Sequence, residues 1–228
     1  MTNNPKNKKI VDDMIKAGAH FGYTKTRRHP STAKYILATK SNSDIINLEK
    51  TAEDLEKTKE FIKSLAKEGK KIIFVGVKAE AKKIIAEAAQ GIDMPYVTER
   101  WIGGTLTNFP EIKKRIAKYL DLKEKTVKGE LDKYTKKEKL LISREVEDLE
   151  KYFGGISGLT KTPDALFIID SKKEHIAVAE AKSIGIPVIT LVNTDTDVKN
   201  LDYPIIANDA SSSSIKYFTN EIVGAYQI

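Results

Sequence analysis

Apolar residues along the chain fall into two kinds of pattern. Short uninterrupted runs, "KIIFVG" (71–76), "MPYVTE" (94–99), "DALFIID" (164–170), "IPVITLVN" (186–193) and "YPIIAN" (203–208), read as strands buried on both faces. Between them, "KAEAKKIIAEAAQG", ending at Gly91, and "KEHIAVAEAKSIG" carry apolar residues at helical spacing. A last helix opens at "SSSS" (211–214), where serine suits a cap and needs no catalytic role. Strands that are apolar throughout, alternating with helices, predict a parallel sheet covered on both faces. The expected fold is therefore a three-layer, flavodoxin- or Rossmann-like α/β domain.

The first seventy residues are organised differently. Ile10, Met14 and Ala17 sit at helical intervals before Gly18, a residue suited to the position after a helix. "KYILATKSNSDIINL" predicts two short strands, 35–38 and 44–48, around a polar turn. Thr51 and Asp54 resemble a capping box, and Leu55, Ile62 and Leu65 carry a helix to Gly69.

One stretch breaks the alternation. Residues 109–153 hold no strand-like run and carry 13 Lys/Arg against 10 Asp/Glu. Ile112, Ile116 and Tyr119, and later Ile142, Val146, Leu149 and Phe153, mark two narrow apolar seams, and Thr135 with Glu138 opens the second helix. This predicts an antiparallel coiled-coil hairpin at 109–153, inserted into an α/β domain formed by 1–108 and 154–228. So thin a seam buries little on its own, so the hairpin is expected to project and rest on a partner. The alternative is an ordinary helix pair packed on the sheet.

Charge sharpens the picture. Nine Lys/Arg against Asp12 and Asp13 in residues 1–40 account for the whole net charge of +7. A basic surface at one end points to a polyanion there. The chain has no cysteine, which excludes disulfides and thiol chemistry. No apolar run approaches the roughly 20 residues of a membrane span. The N-terminus has no apolar core of a secretory signal.

A doubly wound sheet invites a nucleotide, but Gly76 stands alone where a dinucleotide loop needs three glycines. "EGKK" (68–71) lacks both the leading glycine of a P-loop, since position 64 is Ser64, and its magnesium-binding hydroxyl, since Lys71 stands there. Asp170, Asp195 and Asp197 at strand ends allow a magnesium group, but more commonly cap turns. An α/β enzyme binding a phosphorylated metabolite there is the alternative functional reading. His175 beside Glu174 reads as a surface or satisfied histidine.

"GAHFGYTKTRRHP" (18–30) holds His20 and His29, nine residues apart, without a nearby carboxylate. That makes a poor metal pair. Lys25, Arg27, Arg28 and Lys34 would repel a cation and attract phosphate, with Phe21 and Tyr23 available to bases. His20 is expected to be a hydrogen-bonding element of the loop. A second candidate surface is "ERWIGGTLTNFPE" (99–111), with Arg100, Trp101 and Asn108; there Trp101 either faces a ligand or packs under the hairpin base.

These segments, "AGAHFGYTKTRRHP", "IIFVGVK", "RWIGGTLTNF", "KKEKLLISREVEDLEKYFGGI", "PDALFIIDSKKEHIAVAEAKSIGIPVI" and "DYPIIANDASSSSIKY", occur in an order that resembles the bacterial and organellar family of the second small-subunit ribosomal protein. The resemblance covers about residues 8–224. It implies a non-catalytic ribosomal protein with a parallel-sheet domain and a protruding hairpin, binding ribosomal RNA between the head and body of the small subunit. It further implies contact with neighbouring small-subunit proteins, including the large first protein, and a ribosomal location in the cytoplasm or an organelle. No cofactor, metal, membrane or small-molecule substrate is implied. The RNA-binding set expected on these grounds is Lys8, Lys9, Lys25, Arg27, Arg28, His29, Lys34, Arg100, Trp101 and Asn108. The chain departs from the family where Tyr23 replaces a usual His, where Arg28 and His29 replace Trp and Asn, and at Ser211–Ser214, where a usual Arg is missing.

Overall fold

The computed structural model describes residues 5–129, 131 and 134–227. The elements run α1 (Pro5–Lys16), β1 (Phe21–Thr24), β2 (Ile36–Lys40), β3 (Ser43–Ile46), α2 (Leu48–Lys67), β4 (Ile72–Val75), α3 (Ala79–Gln90) and β5 (Tyr96–Val97). After them come α4 (Phe109–Val127), α5 (Lys136–Phe153), β6 (Ala165–Ile169), α6 (His175–Ser183), β7 (Val188–Val192), β8 (Tyr203–Ile206) and α7 (Ser212–Tyr226).

Strands β4 to β8 form one parallel sheet in the order β5-β4-β6-β7-β8. The order reverses between β4 and β6, the place where doubly wound sheets open a crevice at their carboxyl ends. Because side chains alternate across a strand, each apolar run feeds two cores. Phe74, Phe167, Ile169, Ile189 and Leu191 pack with residues of α1, α2, α3 and α7 on one face. Ile73, Val75, Leu166, Ile168 and Val188 pack with α4, α5 and α6 on the other. This is the three-layer arrangement the strand runs predict.

Beside this sheet lies a small antiparallel one, ordered β1-β3-β2. The polar turn between β2 and β3 uses Ser41 and Asn42 in left-handed conformation (φ 49° and 65°). Strand β1 was not expected, since its sequence FGYT has no buried position to mark it.

The helices α4 and α5 lie against each other with burial that falls along their length. Near the sheet, Phe109, Ile112, Ile116, Tyr119, Leu149 and Phe153 are buried in the second core. Further out, Val146 and Ile142 are half-buried, and Leu120, Val127, Leu140 and Leu141 are exposed. Lys123 bridges to Glu150 across the pair at 2.8 Å, and Lys118 pairs with Glu145. The capping box at Thr135 and Glu138 is present. The base of the pair is thus part of the domain core, as the alternative reading of a packed helix pair required, while its outer turns carry bare apolar side chains. At that base Gly155 lets the chain pass β5: a Cβ there would lie 2.3 Å from the Tyr96 carbonyl oxygen. Among the described residues, no helix is long and apolar enough to cross a membrane.

Candidate nucleic-acid interface

The basic segment after α1 is clipped to the carboxyl end of β7. Gly18 takes φ 72° to end the helix turn, and β1 then runs beside β3. The backbone N–H of Tyr23 donates to Asn193 Oδ1 (3.2 Å) and Thr194 Oγ1 (3.1 Å). The His29 N–H donates to the Thr194 carbonyl at 2.8 Å, which also accepts from the buried Thr32 hydroxyl at 2.8 Å. Gly22 permits this approach, since a Cβ would meet Thr194 Cγ2 at 2.8 Å. These backbone contacts fix the loop independently of its cations.

The cations themselves divide into two groups. Lys25 and Lys34 are exposed, as are Lys8 and Lys9 on α1. The Arg27 guanidinium lies 4.5 Å from the centre of the Tyr23 ring, with its side chain 58% exposed. Arg28 turns inward instead. Its Nε donates to Asp44 Oδ2 at 2.6 Å and its Nη2 to Thr39 Oγ1 at 2.9 Å and to Asp44 Oδ1, completing a bidentate pair with a carboxylate that is fully buried. The Arg28 hydrogen bonds hold the Asp44 carboxyl below its ordinary range despite burial.

Neither histidine binds in the way the residue pair first suggests. His29 Nδ1 is 2.8 Å from Ser31 Oγ and 3.8 Å from Asp197. His20 Nδ1 is buried with no hydrogen-bond partner among the described residues, and the ring packs 4.0 Å from Phe21. The hydrogen bond that His20 does make runs through its backbone carbonyl, which accepts from the Ile46 N–H at 2.9 Å. Among the described residues, no cluster of three or more His, Asp or Glu could hold a metal.

The second surface is built around one carboxylate. Glu180 on α6 is 9% exposed and accepts from Trp101 Nε1 (3.2 Å) and the Gly104 N–H (2.7 Å) through Oε1. Its Oε2 accepts from the N–H groups of Leu106 (3.0 Å) and Thr107 (3.3 Å) and from the Thr107 hydroxyl (3.3 Å). Burial pushes this carboxyl up, but the four N–H donors outweigh it and hold Glu180 below the ordinary value. Trp101 is buried in the second core, so of the two readings of this loop it packs beneath the hairpin. Arg100 is exposed, and Asn108 is exposed at the start of α4.

At the crevice between β4 and β6, Lys78 Nζ lies 2.7 Å from Asp170 and 2.6 Å from Asp209. Asn193 Nδ2 donates to Asp209 at 3.1 Å. Burial works against the Lys78 charge, but the two carboxylates more than compensate and raise its pKa. Asp170 is therefore a partner of a lysine. Asp195 lies against Lys172 at 3.0 Å and Arg27 at 3.9 Å. At the strand ends the Lys78 ammonium is thus already paired with two carboxylates of the chain itself.

The family model described as ribosomal protein S2 matches residues 14–228. The chain belongs to the ribosomal protein S2 family. It is 44% identical over 214 residues to small ribosomal subunit protein uS2 of Parabacteroides distasonis, covering 94% of this chain and 77% of the relative. It is 45% identical over 205 residues to the uS2 protein of Porphyromonas gingivalis, covering 90% and 73%. The uS2 protein of Sulfurimonas denitrificans is 44% identical over 215 residues, covering 94% and 83%.

In this S2-family chain, sequence reasoning found the basic loop and the Trp-Gly-Gly loop but missed what holds them. Asp44, Thr194 and Glu180 carried no local signal, because each acts on residues 16 to 171 positions away. Lys172 and Lys173 form a basic pair just after β6, and only the contact of Lys172 with Asp195 ties them to the basic loop.

Proposed function

We propose that this chain is a non-catalytic structural constituent of the small ribosomal subunit, bound to ribosomal RNA through its basic N-terminal edge. The observation that carries this reading is the exposure of Lys25, Arg27 and Lys34 on a loop whose backbone is fastened to the sheet. Cations presented on a fixed frame bind phosphate without ordering the loop first. Lys8 and Lys9 extend the same edge along α1, His29 closes it beside Asp197, and Arg100 and Asn108 present a second RNA-facing surface. Arg28 and Trp101 serve these surfaces from inside, by pairing with Asp44 and by supporting the 101–108 loop. The occupation of the strand-end crevice by Lys78 speaks against the metabolite enzyme.

Neighbouring small-subunit proteins, the large first protein among them, are assigned to the bare outer turns of the helix pair. A groove beside the base of the pair, lined by Ile102, Leu149, Tyr152 and Phe153 with Leu141 at its outer side, continues that surface toward the 102–104 loop. The expected location is the ribosome, in the cytoplasm or an organelle. Sedimentation of a lysate in low and high salt tests the reading: the chain travels with small subunits at low salt and is released as salt rises. Its absence from that fraction even at low salt would overturn it.

A further inference from the structure

The strongest feature left unused is a meeting of two cations over one carboxylate. Asp195 follows β7, and its side chain is only 8% exposed. Its Oδ2 lies 3.0 Å from Lys172 Nζ, on the turn after β6, and 3.9 Å from Arg27 Nη2, on the basic loop. The shared oxygen keeps the two cationic heads within about 7 Å of each other. Both side chains remain more than half exposed, 58% for Arg27 and 59% for Lys172.

We propose that Arg27 and Lys172 form a two-pronged clamp for neighbouring phosphates of a ribosomal RNA strand, with Asp195 as the positioning residue that sets their separation. This rests on the reading of the basic loop as RNA-facing and extends it to a turn some 145 residues away in sequence. The Arg27 guanidinium is already spread on the Tyr23 ring, and 3.9 Å to Asp195 exceeds hydrogen-bond length, so its N–H fork is not spent on the carboxylate. Lys172 donates to Asp195 with good length once, at 3.0 Å, leaving ammonium protons for an incoming oxygen. Asp195 offsets one of the two charges, and Lys78 is shared by Asp170 and Asp209, so the pair acts through the position of its two heads more than through a large local excess of charge. Lys25 and Lys173, both exposed, add to the same rim.

The test uses small subunits stripped of this protein by high-salt washing, to which the purified full-length chain is added back across a salt series. K172A and R27A should each lower the slope of log affinity against log salt by about 0.7 to 0.9, and the double variant by about twice that. K172R should restore the wild-type slope. D195N removes a negative charge, so a simple charge effect would tighten rebinding. The clamp requires the reverse, weaker rebinding, because the two prongs lose their common anchor. A wild-type slope in K172A, or tighter rebinding by D195N, overturns the clamp while leaving the proposed function standing. Failure of the wild-type chain to rebind overturns that function and the clamp together. Heat stabilisation of the free protein by millimolar inorganic phosphate, lost in K172A, would make this a small-anion site and overturn the RNA assignment.

Discussion

Replacing Glu180 by Gln keeps the shape of the side chain and alters only what its two oxygens can accept. In the native chain, Oε1 and Oε2 together accept from Trp101 Nε1 and the N–H groups of Gly104, Leu106 and Thr107. Glutamine has one carbonyl oxygen, so whichever way the amide turns, its NH2 confronts two of these donors. A buried donor left unpaired costs about 1–3 kcal/mol. Two of them, partly relieved by water at the loop's exposed side, give about 2–4 kcal/mol, which corresponds to roughly 4–16 °C in melting temperature for a domain of this size. Ala should be no worse than Gln, because a small polar cavity can admit water where an opposed NH2 cannot. The pH dependence carries a second signature. The folded carboxyl sits below its ordinary pKa, so its stabilisation is present above that ordinary value and is lost as pH falls through the folded one. The stability gap between wild type and E180Q, measured by urea denaturation, should therefore narrow on acidification from pH 6. A Gln variant within about 0.5 kcal/mol of wild type at neutral pH, the usual range for an unimportant surface change, would refute the account of this loop.

Arg28→Ala leaves the fully buried Asp44 carboxylate with Thr39 alone; losing one partner of a buried pair costs about 3–5 kcal/mol, and with the arginine itself partly exposed about 2–3 is expected, read as a lower urea midpoint. Loss of RNA affinity in R28A without loss of stability would instead place Arg28 on the RNA. Gly155→Ala puts a methyl 2.3 Å from the Tyr96 carbonyl, whereas Gly158→Ala meets nothing within 4 Å. Calorimetry should show the first destabilised by about 1–3 kcal/mol and the second nearly unchanged.

The main sheet was legible because its strands are buried on both faces. Burial forces "IIFV", "ALFII" and "VITLV" into continuous apolar runs that no loop would carry. The helix pair was legible through the helical spacing of its narrow seams, though these could not say how much of it joins the core; that depends on Val97, Trp101 and Leu106, which lie outside the pair. Strand β1 was hidden because it is only four residues long and none of its positions is buried, so the alternation of Phe21 and Tyr23 marks no core face. Arg28 shows where charge counting stops. Lys25, Arg27 and Arg28 are alike in sequence, and what separates them is a carboxylate 16 residues on that faces one and not the others. Local composition reports how much charge a segment holds, and only the fold assigns each charge to the inside or the outside.

That distinction also explains how a sheet built like a nucleotide-binding one can be put to a different use. The ends of β4, β6 and β8 are tied together because Lys78 touches Asp170 and Asp209 at once. Asp209 accepts from Asn193, whose own oxygen accepts the Tyr23 N–H, and the Tyr23 ring carries Arg27. A continuous chain of contacts thus leads from the centre of the crevice to the tip of the basic loop. Burying an ammonium and two carboxylates is a costly way to stabilise a fold compared with apolar packing. What such a network does supply is direction, since ion pairs and amide hydrogen bonds fix angles that apolar contacts leave free. The carboxyl ends of the strands, where a related architecture would hold a ligand, here hold the basic loop that we propose faces the RNA.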